Sequence, residues 1–487
     1  MNKPIRVIAI SCLVLFMALL ININVVQFVN ADSLNAKNGN KRVINEEFSR
    51  DRGAILVAGT PIAESVPNND TYKFQRRYTD ASLYAPITGY YSYVYGRRGL
   101  EDSQNGVLSG SDNRLFVNRV VDLLSNKKPK GGSVELTIDA LAQKTAASGL
   151  ASLGKNAKGS VVVLDPSTGA ILAMANQPSY DPNRLASHDF GAVQKAWASL
   201  TADKNQPMLN RASQQILPPG STFKLVTAAA ALADLKIDPD TKVKAGKEYK
   251  VNGFTLPNEN GSNCGGNEIT FEKALNVSCN VAFGRLAVKI GQDKLAAQAA
   301  KFGFGADPLD ELAASPSRFT DNDKKMTNDF LAQSGIGQYE VATTPLQMAM
   351  VAAGIANDGA VMKPYIVKTM RSPNLKVLDQ ASPSLLSQAM SAANAAKLSQ
   401  MMVSTVKSGT ATSARIAGVD VGGKTGTAQS TPERPPYAWF VSFAPAKNPK
   451  VAVAVLVESS NTGRDEIAGG RLAGPIARAV MEAVLNK

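Results

Sequence analysis

Ser221 and Lys224 stand three positions apart, directly after Pro218-Pro219-Gly220. The prolines and glycine interrupt regular structure. The Ala-rich run that follows, Ser221 to Leu232, predicts a buried helix. Ser221 then sits at the helix N-terminus with Lys224 on the same face, so that the amine can reach the hydroxyl. A serine hydroxyl is a poor nucleophile until a base takes its proton. A lysine can be that base once burial, a neighbouring cation or the positive helix end lowers its pKa. S-x-x-K alone occurs by chance in many long chains and carries little weight.

Two later elements offer the rest of a site. Ser278-Cys279-Asn280 sets a hydroxyl and a carboxamide two residues apart, able to project to one side of an extended turn. Asn280 supplies a donor and an acceptor to a substrate amide, and Ser278 can relay a proton. Lys424-Thr425-Gly426-Thr427 is entered through Gly422-Gly423. At a strand edge its threonines offer hydroxyls to a carboxylate, Gly426 lets substrate approach the backbone, and Lys424 adds positive potential. The Thr427 N–H can pair with the Ser221 N–H as an oxyanion hole. A rival reading exists, because Gly418 to Thr425 satisfies the phosphate-binding pattern G-x-x-x-x-G-K-T. Such a loop must open a helix, and Thr425, Gly426 and Thr427 are poor helix formers followed by Pro432, Pro435 and Pro436.

The elements that must position these groups are legible as runs. Gly159 to Asp165 is apolar and β-branched, Ser167-Thr168-Gly169 turns, and Ala170 to Ala175 returns, which predicts a hairpin. Ala-rich stretches at 284–302 and 389–406 predict helices, and Ala438 to Phe443 and Val451 to Glu458 predict late strands. Helices between an early hairpin and late strands imply an α/β domain of the α+β type. One antiparallel sheet is built from both ends of the domain, with helices on both faces. We place this domain at 156–487, after a linker and small non-catalytic N-terminal domain at 30–155.

Composition narrows the chemistry. The 487 residues carry +13, but no basic run or finger supports nucleic acid as a partner. The single histidine, His188, rules out metal sites built on several histidines. It lies in a polar stretch and reads as a surface residue. At the N-terminus, Lys3 and Arg6 precede an apolar run from Val7 that continues to Val29. That length can cross a bilayer, with residues 1–6 as a cytoplasmic stub, 7–29 as the anchor and the rest outside. A cleaved signal peptide ending near Val29-Asn30-Ala31 is the alternative, for which the apolar core is long. Outside the membrane disulfides are permitted. Cys264 and Cys279 could form one, or be two small buried hydrophobes.

The order S-x-x-K, S-x-N, K-T-G resembles the active-site set of penicillin-binding proteins and serine β-lactamases. Further residues resemble the class B penicillin-binding proteins, especially their short actinobacterial members. These are Arg52-Gly53, Gly99-Leu100-Glu101, Leu136-Thr137-Ile138-Asp139, Asp165-Pro166-Ser167-Thr168-Gly169, Ser179-Tyr180-Asp181-Pro182-Asn183, Asn210-Arg211 and Thr344-Pro345-Leu346-Gln347. The resemblance implies a transpeptidase domain and a peptidoglycan D,D-transpeptidase without cofactor or metal. Ser221 would be acylated by D-Ala-D-Ala stem peptides and trapped by β-lactams. Lys224 would be the acylation base, Ser278, Asn280 and Lys424 would assist proton traffic, and Thr425 and Thr427 would hold the substrate carboxylate. It also implies a membrane glycan polymerase of the shape, elongation and division family as partner. Cys279 and Tyr339 depart from the common pattern. A β-lactamase, a D,D-carboxypeptidase, a β-lactam sensor and a low-turnover wall-assembly scaffold are the alternatives.

Overall fold

The computed structural model describes residues 3–30, 33–34, 41–115, 130–321, 324–429, 434–463 and 467–486. Ala31 of the cleavage-site reading and Pro432 of the proline run lie outside them. Five strands form the central sheet: β1 (Lys158–Leu164), β2 (Ile171–Gln177), β3 (Gly422–Ala428), β4 (Tyr437–Ala444) and β5 (Val451–Ser459). Their order is β3-β4-β5-β1-β2, antiparallel throughout, so the two ends of the domain meet where β5 pairs with β1. Side chains alternate across the pleat. Val162, Met174, Trp439 and Val441 pack into one core with helices Lys224–Asp234 and Pro345–Ala356. Val161, Val163, Ala173 and Phe440 pack into another with helices Ala140–Ala151 and Gly474–Leu485. Apolar residues on both faces of β1 and β5 follow from this double cover. Burying each large apolar side chain there contributes roughly 1.5–3 kcal/mol.

The helices differ from the predicted runs in instructive ways. Residues 284–302 were predicted as one helix. They form the greater part of two, Asn280–Ile290 and Gln292–Lys301, divided at Gly291 with φ +89°. Glycine adopts that left-handed angle without a Cβ clash. The helix predicted at 389–406 spans Ala392–Ser408 and is capped by the Ser391 hydroxyl, which accepts from the Asn394 N–H.

Nearer the N-terminus, strands Ile55–Val57, Thr60–Pro67, Phe74–Tyr78 and Ser133–Leu136 form a second sheet. Val367–Arg371 and Val377–Gln380, from far along the chain, complete it as a six-stranded sheet. Beneath it Glu101 is fully buried. Its carboxylate accepts from Arg52 Nε and Arg76 Nε, both at 2.7 Å, and from the Tyr78 hydroxyl at 3.0 Å. Burial pushes the Glu101 carboxyl up, and the Arg76 and Arg52 guanidiniums outweigh this and hold it below the usual carboxylate range. Helix Lys3–Asn24 and the π-turn Val25–Val29 bear exposed apolar side chains, and this segment is long and apolar enough to cross a membrane.

His188 corrects the surface reading. Its side chain is only 9% exposed, its Nδ1 meets Asp70 Oδ2, and Tyr72 and Phe48 flank the ring.

Candidate active site

The turn bearing Ser221 is fixed before the helix starts. Trp439 Nε1 on β4 donates to Pro218 O at 2.9 Å, and the Gly220 N–H donates to Gly337 O at 2.9 Å. Ser221 occupies a short 3₁₀ turn, Gly220–Phe223, that runs straight into helix Lys224–Asp234. The turn packs against β3. A Cβ on Gly426 would stand 2.9 Å from both Pro219 O and Thr222 Cγ2. Gly426 therefore makes room for the turn bearing Ser221, where the sequence had suggested room for substrate.

Lys224 and Lys424 are fully buried, and their amines converge on one hydroxyl. Lys224 Nζ lies 3.2 Å and Lys424 Nζ 2.8 Å from Ser278 Oγ. Lys224 Nζ also donates to Ser278 O at 2.7 Å and to Asn280 Oδ1 at 2.6 Å. Lys424 Nζ also donates to its neighbour's carbonyl, Thr425 O, at 2.8 Å. Ser278 holds φ +60°, a left-handed angle costly for a residue with a Cβ. Burial first, and then the charge of Lys424, pull the Lys224 amine well below the ordinary lysine value, with Glu259 opposing. Burial pulls Lys424 down to about 7, again against Glu259. A neutral Lys224 amine has two N–H donors, and two carbonyl-type oxygens receive them. Its lone pair is left for a hydroxyl proton.

Three expectations change at this level. The amine of Lys224 does not hold Ser221: among the described residues the Ser221 hydroxyl has no hydrogen bond, and Lys224 bonds to Ser278 and Asn280 instead. Asn280 is engaged on both amide atoms, because its Nδ2 donates to Pro257 O at 3.1 Å. Thr425 is 9% exposed and its Oγ1 pairs with Thr410 Oγ1 at 2.7 Å, while Thr427 faces the cleft. The phosphate-loop reading fails on backbone geometry. Gly422 to Ala428 is an edge strand, and no helix opens at Lys424.

The cleft measures ≈ 760 Å³, and Ser221, Asn280, Thr427, Glu259, Gln338 and Tyr339 are among its walls. Sequence reasoning missed the segment that braces it. Asn258 is buried; its Oδ1 accepts from the Val281 N–H at 3.0 Å, and its Nδ2 donates to Gly246 O and Ser262 O, both at 2.7 Å. Cys264 and Cys279 are joined as a disulfide, tying the same segment to the middle residue of Ser278-Cys279-Asn280. The signal for it was present only as a cysteine pair; nothing local distinguishes Asn258 or Glu259 from ordinary turn residues. Tyr339 stacks on Phe330 with centroids 4.3 Å apart and has φ +62°. Glycine, common at this position in the resembling family, adopts that angle without a Cβ clash; tyrosine holds it here at a steric cost.

A model of the penicillin-binding protein transpeptidase domain matches residues 159–482, and one of the penicillin-binding protein A dimerisation domain matches residues 52–134. The chain is 42% identical over 496 residues to the peptidoglycan D,D-transpeptidase PbpA of Mycolicibacterium smegmatis, covering 100% of each. It is 30% identical to MrdA of Haemophilus influenzae, over 80% of this chain and 63% of that one. The solved ceftriaxone acyl-enzyme of penicillin-binding protein A from M. tuberculosis superposes with a TM-score of 0.85 at 38% identity, covering 91% of this chain and 100% of that one. Its penicillin G acyl-enzyme gives a TM-score of 0.84 at 39% identity over 90% and 100%. With the matched model spanning well over half its length and a relative aligned from end to end, the chain belongs to the penicillin-binding protein transpeptidase family.

Proposed function

We propose that this chain is a peptidoglycan D,D-transpeptidase with Ser221 as nucleophile. In acylation, neutral Lys224 takes the Ser221 proton as Oγ attacks the penultimate D-alanine carbonyl of a stem peptide. The Ser221 and Thr427 N–H groups receive the oxyanion. The proton passes to the departing D-alanine amine, with Ser278 linking Lys224 to Lys424 as a relay. A neighbouring stem-peptide amine then attacks the seryl ester, and the same groups act in reverse. Thr427 is the hydroxyl available in the cleft for the substrate carboxylate, with Thr425 supporting it from behind. β-Lactams stop the cycle as long-lived Ser221 esters.

One observation carries the reading: two fully buried amines share the hydroxyl of Ser278, and one of them, Lys224, starts the helix directly after the turn bearing Ser221. Burial and the Lys424 charge both pull the Lys224 amine down, the direction a general base requires. The apolar N-terminal helix supports a single-pass anchor with the catalytic domain outside the cell membrane. A membrane glycan polymerase of the shape, elongation and division family is the partner this arrangement calls for. Intact mass spectrometry of the chain with benzylpenicillin should show one stoichiometric adduct mapping to Ser221, abolished in Ser221→Ala while the fold persists. Labelling of Ser221→Ala at the wild-type level would refute the assignment.

A further inference from the structure

We infer that Glu259 is the docking group that receives the acceptor amine in its ammonium form. This rests on the transpeptidase reading above. Among the described residues lining the cleft, Glu259 is the only carboxylate, beside Ser221, Asn280 and Thr427. It is exposed and, among the described residues, forms no ion pair. It stands on the braced segment: its neighbours Asn258 and Pro257 hold Val281 N–H and Asn280 Nδ2, so its backbone is fixed against the site. The next residue, Asn260, has φ +54°, and the 3₁₀ turn Glu259–Gly261 forms part of the cleft wall.

The floor of the cleft gives this carboxylate a purpose. Lys224 Nζ bonds to Asn280 Oδ1 in the cleft wall and Lys424 Nζ to Ser278 Oγ two residues before it, and both amines feel the Glu259 charge, which raises each of them. An ammonium entering above two amines, one of which still titrates near neutrality, is repelled. One anion at the rim offsets that repulsion. The docked ammonium gives one proton to solvent. Its nitrogen then attacks the acyl carbon, the C–N bond forms, the C–O bond to Ser221 breaks, and the second proton returns to Ser221 Oγ through Lys224.

Glu259→Gln in the detergent-solubilised full chain separates this role from its rivals. The enzyme is acylated with a D-alanyl thioester donor. Aminolysed and hydrolysed products are then counted with two probes: Nα-acetyl-lysine amide, whose side chain is an ammonium, and hydroxylamine, uncharged at neutral pH. The aminolysis-to-hydrolysis ratio should fall about fivefold with the lysine probe, the size of a partly exposed charge pair, and stay unchanged with hydroxylamine. Acylation should not slow, since removing a negative charge lowers the lysines further and favours the neutral base. Equal losses with both probes, or no loss with either, would overturn the docking role. A fall in hydrolysis without amine would do so as well, and would assign Glu259 to water activation. A wild-type chain that forms no acyl-enzyme or no amide overturns the transpeptidase reading first, and this inference with it.

Discussion

Replacing Lys424 by methionine should move the acid limb of Ser221 acylation to higher pH. In the proposed mechanism acylation requires neutral Lys224, so its rate rises with pH through the pKa of that amine. Lys424 is charged below about 7, and its charge helps to depress Lys224. Their bonds to Ser278 Oγ, 3.2 and 2.8 Å, limit the two nitrogens to a separation of about 6 Å. At that distance and an effective dielectric constant of about 20, like charges repel by ~3 kcal/mol, or ~2 pH units. Lys424→Met keeps an unbranched side chain one atom shorter and removes the charge. The variant's limb should therefore shift up by ~2 units, and well below both midpoints acylation should fall ~100-fold beyond any change in the plateau. Stopped-flow acylation by a fluorescent penicillin between pH 5 and 9 measures limb and plateau separately. The plateau also falls, because Ser278 loses a donor. A limb that stays in place or moves down would refute the coupling of the two lysines, whatever the plateau does.

Two further substitutions test the scaffold. Glu101→Gln leaves the Arg52 and Arg76 guanidiniums buried against a neutral amide, and should cost about 3–5 kcal/mol in chemical unfolding; a loss below about 1 kcal/mol would show that water or another anion replaces the carboxylate. Gly337→Ala puts a Cβ 2.1 Å from Gly220 O at a residue with φ +75°, so the turn bearing Ser221 must move. Displacement near 1 Å should lower the penicillin acylation rate constant ~100-fold, and an unchanged rate would remove Gly337 from the seating of that turn.

What sequence could reveal follows from how local each feature is. The strands of the central sheet are continuous apolar runs because both faces are covered, so β1, β2, β4 and β5 were visible within a residue or two. The S-x-x-K pair was visible because its spacing is a helical one. Val367–Arg371 joining the N-terminal sheet was not visible, since pairing with Ser133–Leu136 depends on partners more than two hundred residues away. The direction of the Lys224 amine was not visible either. Two acceptors on the next motif, Ser278 O and Asn280 Oδ1, outcompete the hydroxyl on the turn just before its helix. Asn258 has no signature at all, because its function is to satisfy backbone groups on three separate segments.

The two half-reactions place opposite demands on one cleft. In the proposed mechanism acylation needs a lysine without its proton, and burial together with a second amine nearby pulls Lys224 in that direction. The same device makes the floor of the cleft unfavourable to the cation that must arrive next. Placing a compensating anion against Lys224 would raise its pKa and disable the base. At the rim, on a turn exposed to solvent, the field of Glu259 at the floor is weakened by water, while an arriving ammonium meets the carboxylate directly. The braced segment then has a double purpose: it holds Asn280 against Lys224 from one residue and sets the anion at the entrance from the next but one. A shift of that segment should consequently slow acylation and disturb acceptor choice together, whereas loss of the Glu259 charge alone should disturb the second without slowing the first.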